Sequence, residues 1–128
     1  MVTPIYSIVL AIIFILLSVR TLLLRGKLKI AVGDGGNLQM LRAMRAHANF
    51  IEYVPLVLIL MILLELSKAP SPWIHTTGAC IVIGRISHLF GISQLKENYL
   101  FRRLGMGMTF TSLSIAIFYH ILIYLKPS

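Results

Sequence analysis

Arg42, Arg45, Asn49 and Glu52 stand at spacings of three, four and three. On an α-helix those spacings line side chains up along one stripe, here about 15 Å long. Arg85 and His88 are three apart and share a helical face in the same way. Arg102 and Arg103 are adjacent, so on a helix they diverge by about 100° and only one of them is expected to face a common site. Together these groups offer several guanidinium forks, one carboxylate and one amide. Tyr53 and His88 add atoms that both donate and accept. Guanidinium forks hold carboxylates, and Glu52 offers a seat for an ammonium group. The ligand that fits is a small anion carrying an amine, next to something apolar. The competing reading is structural: an Arg45–Glu52 or Arg85–Glu52 network that holds helices together.

The elements that carry these residues are greasy. Of 128 residues, 58% are hydrophobic and only 12% are charged, with twelve Lys and Arg against four acids and a net charge of +8. Mean hydropathy is +0.89. The length allows one domain. Disorder needs low hydrophobicity and is excluded. A soluble domain needs more polar surface than this composition supplies. The charge alone fits nucleic acid, but the apolar runs argue for a membrane instead. The single cysteine, Cys80, rules out an internal disulfide and a cysteine-based zinc site. The four histidines show no H-x-x-x-H or H-E-x-x-H spacing, so no metal is expected. Gly33-Asp34-Gly35-Gly36 is too short for a phosphate loop and follows no strand.

Four helical spans are expected at about 4–24, 38–66, 73–92 and 103–125. About 20 residues cross a ~30 Å hydrocarbon core, and lipid forces the backbone to satisfy its own hydrogen bonds. The first, third and fourth stretches meet that length directly. The second does so only if its polar N-terminal half is buried among the other helices. The first lacks a basic leader and a small-residue cleavage site, so it is expected to stay as a span. Pro55 is expected to bend or loosen the second helix. Gly105 and Gly107 read as close helix packing. Asn37 reads as a helix cap after the glycine-rich turn.

The chain is therefore all-α, a membrane-embedded four-helix bundle that crosses the bilayer several times. Ten basic residues fall toward loops 1 and 3, against Lys68 and Lys126 at the other end. The positive-inside rule then places loops 1 and 3, and the site beside them, in the cytoplasm. Lys27, Lys29 and Lys96 lie at the level of anionic headgroups, so membrane lipids are expected partners and nucleic acid is not.

Arg45-Ala-His47-x-Asn49-x-x-Glu52-Tyr53-x-Pro55 on a second membrane helix resembles the signature of the MAPEG family, the membrane-associated proteins in eicosanoid and glutathione metabolism. The resemblance extends over the whole chain: four spans, a basic loop 1, Arg85-x-x-His88 on helix 3 and an arginine pair opening helix 4. Gly-Asp-Gly-Gly-Asn in loop 1 is similar to the bacterial members, which implies a bacterial inner membrane. The family implies a homotrimer with glutathione bound between subunits. It also implies that Arg45, Asn49, Glu52 and Tyr53 contact glutathione, with Arg25 reaching it from the end of helix 1 and Arg85 beside it. His88 falls where members carry Tyr or His. Arg102 or Arg103 falls where they carry the arginine that stabilises the thiolate, and Arg102 is preferred. A second aromatic of well-known members is Ile92 here.

The chemistry that follows is thiol activation. A free thiol with pKa near 8.5 is only a few per cent thiolate at neutral pH. A guanidinium about 3 Å away in a water-poor site favours the anion, and a shift of about two units, worth about 2.7 kcal/mol, makes it dominant. The expected activity is a membrane glutathione transferase, with or without peroxidase activity, that takes a lipophilic electrophile or hydroperoxide from the bilayer. The alternatives are a non-catalytic interaction protein of the same fold and a small transporter. The transporter reading is weakened because the outer halves of the helices are bare of charge apart from Glu65.

Overall fold

A computed structural model describes residues 1–94 and 96–125. It contains four helices, α1 (Thr3–Leu28), α2 (Leu38–Leu66), α3 (Ser71–Ser93) and α4 (Tyr99–Leu125), joined by short loops in up-and-down order. Lys126, assigned above to the outer end, lies outside the described residues. α1, α2 and α4 are long and apolar enough to cross a membrane, with mean hydropathies of 2.6, 2.0 and 1.7. The sequence reading made α2 the conditional span. In the structure it is α3, expected to span directly, that is not among them, because it carries Arg85, His88, Thr77 and three glycines on its buried face.

Capping chemistry explains where the helices start and stop. α1 runs past Arg25 and Lys27, which the sequence reading placed in loop 1, and stops at Lys29 in the left-handed conformation (φ 55°). The chain then turns through Gly33, Gly35 and Gly36, all at positive φ, where a side chain would be strained. Asn37 caps α2 as expected, its side chain accepting from the Met40 amide at 3.0 Å. α2 runs without interruption through Pro55. At the far end Glu65 reaches from α2 to the first turn of α1 and accepts the amides of Val2 and Thr3. Those amides have no partner inside a helix, and a carboxylate there also complements the positive end of the helix dipole. That explains why an acid sits in the otherwise bare outer half.

The core is a line of contacts from Leu10, Ile13 and Leu17 of α1 to Phe50, Val54, Val57, Met61 and Leu64 of α2, and on to Ile74 and Ile81 of α3. The outward faces are also apolar: Leu23 of α1, Ile59 of α2 and Phe118 of α4 are all exposed. Helices apolar all round suit lipid or neighbouring subunits rather than water.

α3 and α4 pack most closely, through small residues. A Cβ on Gly105 would lie 2.5 Å from the His88 amide nitrogen and 2.6 Å from the Gly84 oxygen, and one on Gly91 would lie 2.6 Å from the Arg102 amide nitrogen. Ser112 Oγ donates to the Thr77 carbonyl at 2.8 Å further along the seam. In lipid, where apolar burial gives little drive, close backbone approach and interhelical hydrogen bonds hold helices together. Gly107 differs from the sequence expectation, since a Cβ there meets nothing within 4 Å. Gly105→Ala should therefore overpack the seam and lower stability by about 1–3 kcal/mol. Gly107→Ala should gain up to about 1 kcal/mol from helix propensity. Thermal unfolding of both variants in detergent checks the pair, and equal shifts would refute this account of the seam.

Candidate functional site

The stripe on α2 divides in two. Asn49 and Tyr53 turn inward to α3 and α4, while Arg45 and Glu52 face out and are exposed. The division follows from helical geometry, because Glu52 lies three residues from Asn49, about 60° around the axis.

Arg85 organises the inward half. It is 2% exposed and extends from α3 across to α2 and α4. Its Nη1 donates to Asn49 Oδ1 at 2.7 Å, and its Nη2 donates to the Thr109 hydroxyl and lies 3.5 Å from Met106 Sδ. The guanidinium carbon stands 5.7 Å from the centre of the Tyr53 ring, a cation–π contact. Tyr53 is held in turn edge-to-face by Phe110 at 5.8 Å. Among the described residues no carboxylate pairs with Arg85. Its Nε is buried without a hydrogen-bond partner. A buried cation is thus held by an amide oxygen, a hydroxyl, a sulfur and a π face, with no anion to balance it. Of the two networks considered from sequence, Arg85–Glu52 does not form, and Arg85 takes Asn49 instead.

The Arg45–Glu52 pair does form, but loosely. The closest approach is 4.0 Å, with the side chains 59% and 49% exposed. A pair this open contributes little to stability and leaves both groups available to a ligand.

The arginines near loop 3 are arranged around Glu97. Its carboxylate receives Arg102 Nη1 at 3.1 Å and lies 3.6 Å from Arg42 Nε. Arg42 also donates to the Gln94 carbonyl at 3.3 Å, so it belongs to this cluster rather than to an open stripe. Arg103 points the other way and is exposed. His88 is buried on α3, its backbone against Gly105 one turn before the Arg102 contact with Gly91. Arg25 donates to the Gly33 carbonyl at 2.9 Å and so braces loop 1.

Apart from His88 in the α3–α4 seam and Arg25 in loop 1, the predicted residues fall into four places. Arg85, Asn49 and Tyr53 come together. Arg45 and Glu52 form the open pair beside them. Arg102 joins Arg42 through Glu97, and Arg103 stands alone at the surface. Thr109, Met106 and Glu97 were missed. The signal for Thr109 was present, since Gly105, Thr109 and Ser112 recur at helical spacing on the buried face of α4. Glu97 read as an ordinary loop charge.

The MAPEG family model matches residues 3–123. The chain is 30% identical over 117 residues to the inner membrane protein YecN of Escherichia coli K12, covering 91% of this chain and 88% of the relative. The YecN of Escherichia coli O6:H1 matches to the same extent. No solved structure gives a significant match. With a family match along nearly its whole length, four helices and the Arg-Ala-His-x-Asn-x-x-Glu stripe on the second of them, the chain belongs to the MAPEG family.

Proposed function

We propose that this protein is a membrane glutathione transferase of the bacterial inner membrane, working as a homotrimer with its sites between subunits and loops 1 and 3 in the cytoplasm. The observation that carries the reading is the pairing of a buried, anion-free Arg85 with an open Arg45–Glu52 pair one turn away along α2. The unbalanced guanidinium draws an anion to this face, the loose pair offers one carboxylate seat and one ammonium seat, and glutathione carries both kinds of group. Arg45 and Glu52 are exposed in one subunit, so a neighbour is needed to close the site around a ligand.

The thiol then needs a cation. Arg102 is offered for that role: its side chain is 42% exposed and bonded on one side to Glu97. A thiolate would displace that contact from the more exposed partner, and Glu97 would keep Arg42. Arg103 is the alternative, exposed and on the other side of the helix. His88 stands one turn from Arg102 along the seam with the facing helix and orients this end of the site. The activated thiolate attacks the electrophilic carbon of a lipophilic substrate that arrives through the bilayer, forming a carbon–sulfur bond as the leaving group departs. Detoxification of such compounds, with hydroperoxide reduction as a second activity, is the corresponding role. A second reading, a non-catalytic interaction protein, is favoured by one observation: Glu97 already compensates the preferred arginine.

Purified protein should conjugate glutathione to a small aryl halide and bind glutathione in calorimetry. Silence in both assays removes the transferase reading and leaves the second. The ultraviolet absorbance of bound thiolate should be lost in Arg102→Ala and retained in Arg103→Ala. The reverse result transfers the role to Arg103, and retention in both variants rejects arginine activation.

The divided stripe makes a separate prediction. Arg45→Ala should weaken glutathione binding with a stability change below about 1 kcal/mol, because the pair is exposed. Asn49→Ala should also lower stability, by about 1.5–3 kcal/mol, because it removes a hydrogen bond to a buried charge. Unfolding in detergent alongside calorimetry reads both. Equal stability losses would contradict the division of the stripe.

A further inference from the structure

Three grooves of 410, 290 and 240 Å³ meet around one side chain, Arg20. Arg20 lies eight residues before the end of α1, about 12 Å below it along the axis, in an otherwise apolar run. Its Nη1 donates to Ser93 Oγ at 2.7 Å, at the last residue of α3. The guanidinium is thereby held at the loop-1 and loop-3 end of the bundle, where the helices emerge from the hydrocarbon. Among the described residues no carboxylate is within ion-pair distance of Arg20. No acid lines any of the three grooves.

A lone arginine near a helix end needs no dedicated partner, because it can extend to bulk headgroups. Two features distinguish Arg20 from that case. Lys27 lies seven residues on along the same stripe of α1 and lines the 410 Å³ groove, with Gln39 from the start of α2 opposite. Leu16 and Leu23 continue the stripe on either side of Arg20, and Leu16 walls two of the three grooves. The result is two cations and an amide above an apolar channel that opens toward the bilayer.

We propose that this groove binds one anionic glycerophospholipid. The phosphate sits between Arg20 and Lys27, the Gln39 amide donates to a headgroup oxygen, and an acyl chain descends along Leu16. Charge complementarity selects the lipid class. Zwitterionic lipids bring an ammonium group that finds no carboxylate here, and free phosphate brings no chain to fill the channel. Because Arg20 joins α1 to the end of α3, the bound lipid braces those two helices beside loop 3.

Native mass spectrometry of the full chain in detergent, titrated with phosphatidylglycerol, phosphatidylcholine or glycerol phosphate, tests the site. One phosphatidylglycerol per chain should be retained at least about tenfold more strongly than phosphatidylcholine, and glycerol phosphate should not be retained. Arg20→Gln and Lys27→Gln should each remove that preference, while Lys29→Gln, outside the grooves, should leave it intact. Leu16→Trp should weaken retention although it changes no charge, because it obstructs the channel. Preference unchanged in Lys27→Gln, or retention indifferent to Leu16→Trp, would overturn the site in favour of diffuse attraction to headgroups, even if Arg20→Gln failed to fold. Equal retention of glycerol phosphate would overturn it in favour of a free-phosphate site.

Discussion

The bundle depends on how it accommodates Arg85. A charge buried without an opposite charge is among the more expensive things a protein can hold, and in lipid the cost rises further. Here the guanidinium is met by groups from two other helices: the Asn49 amide and Tyr53 ring from α2, and the Thr109 hydroxyl and Met106 sulfur from α4. Each neutral partner is weaker than a carboxylate. Their number compensates, and their geometry fixes the relative height of three helices. Removing any one of them leaves the charge less satisfied, so the residues that position the site cannot drift independently.

The close approach of α3 and α4 follows from the same demand. Thr109 meets Arg85 only if the two helix backbones come nearly into contact, and Gly84 and Gly105 permit that. Thr109 also donates to the Gly105 carbonyl at 2.9 Å, so one hydroxyl serves both the seam and the clamp. Gly91 repeats the approach at the backbone of Arg102 itself. The backbone that carries Arg102 is thus held in register with the helix of His88 by a missing side chain. Positioning here relies on small residues as much as on charged ones.

These relations explain what sequence reasoning reached and where it stopped. The four helices, the Asn37 cap and the family were accessible because each rests on local spacing: apolar length, a capping side chain before a helical run, and a stripe at intervals of three and four. The splitting of that stripe was not accessible. Arg42, Arg45, Asn49 and Glu52 all fall within about 80° of arc, and a boundary inside that arc depends on where α3 lies. For Thr109 the buried face was legible but the role was not, since a threonine on a membrane helix bonds its own backbone in most settings and becomes a charge partner only when an arginine arrives from another helix. Glu97 looked like a solvated loop acid, and only the folding of loop 3 onto α2 and α4 gives it Arg42 and Arg102.

The net charge of +8 can now be divided by what each cation meets. Arg42 and Arg102 share Glu97, and Arg45 has Glu52, so three arginines are balanced by two acids at the surface of the bundle. Glu65 serves backbone amides instead of a cation. The remaining acid, Asp34, closes the loop-1 turn by accepting from the Gly36 amide at 3.0 Å. With all four acids occupied in this way, Arg20 and Arg85 have no acid within ion-pair distance among the described residues. Arg85 is sealed in and held by neutral groups, with its Nε left unpartnered. Arg20 opens on a groove, where nothing but its lipid surroundings or a ligand can supply an anion. Arg20 and Arg85 therefore differ in what can reach them, and the difference is set by burial rather than by residue type.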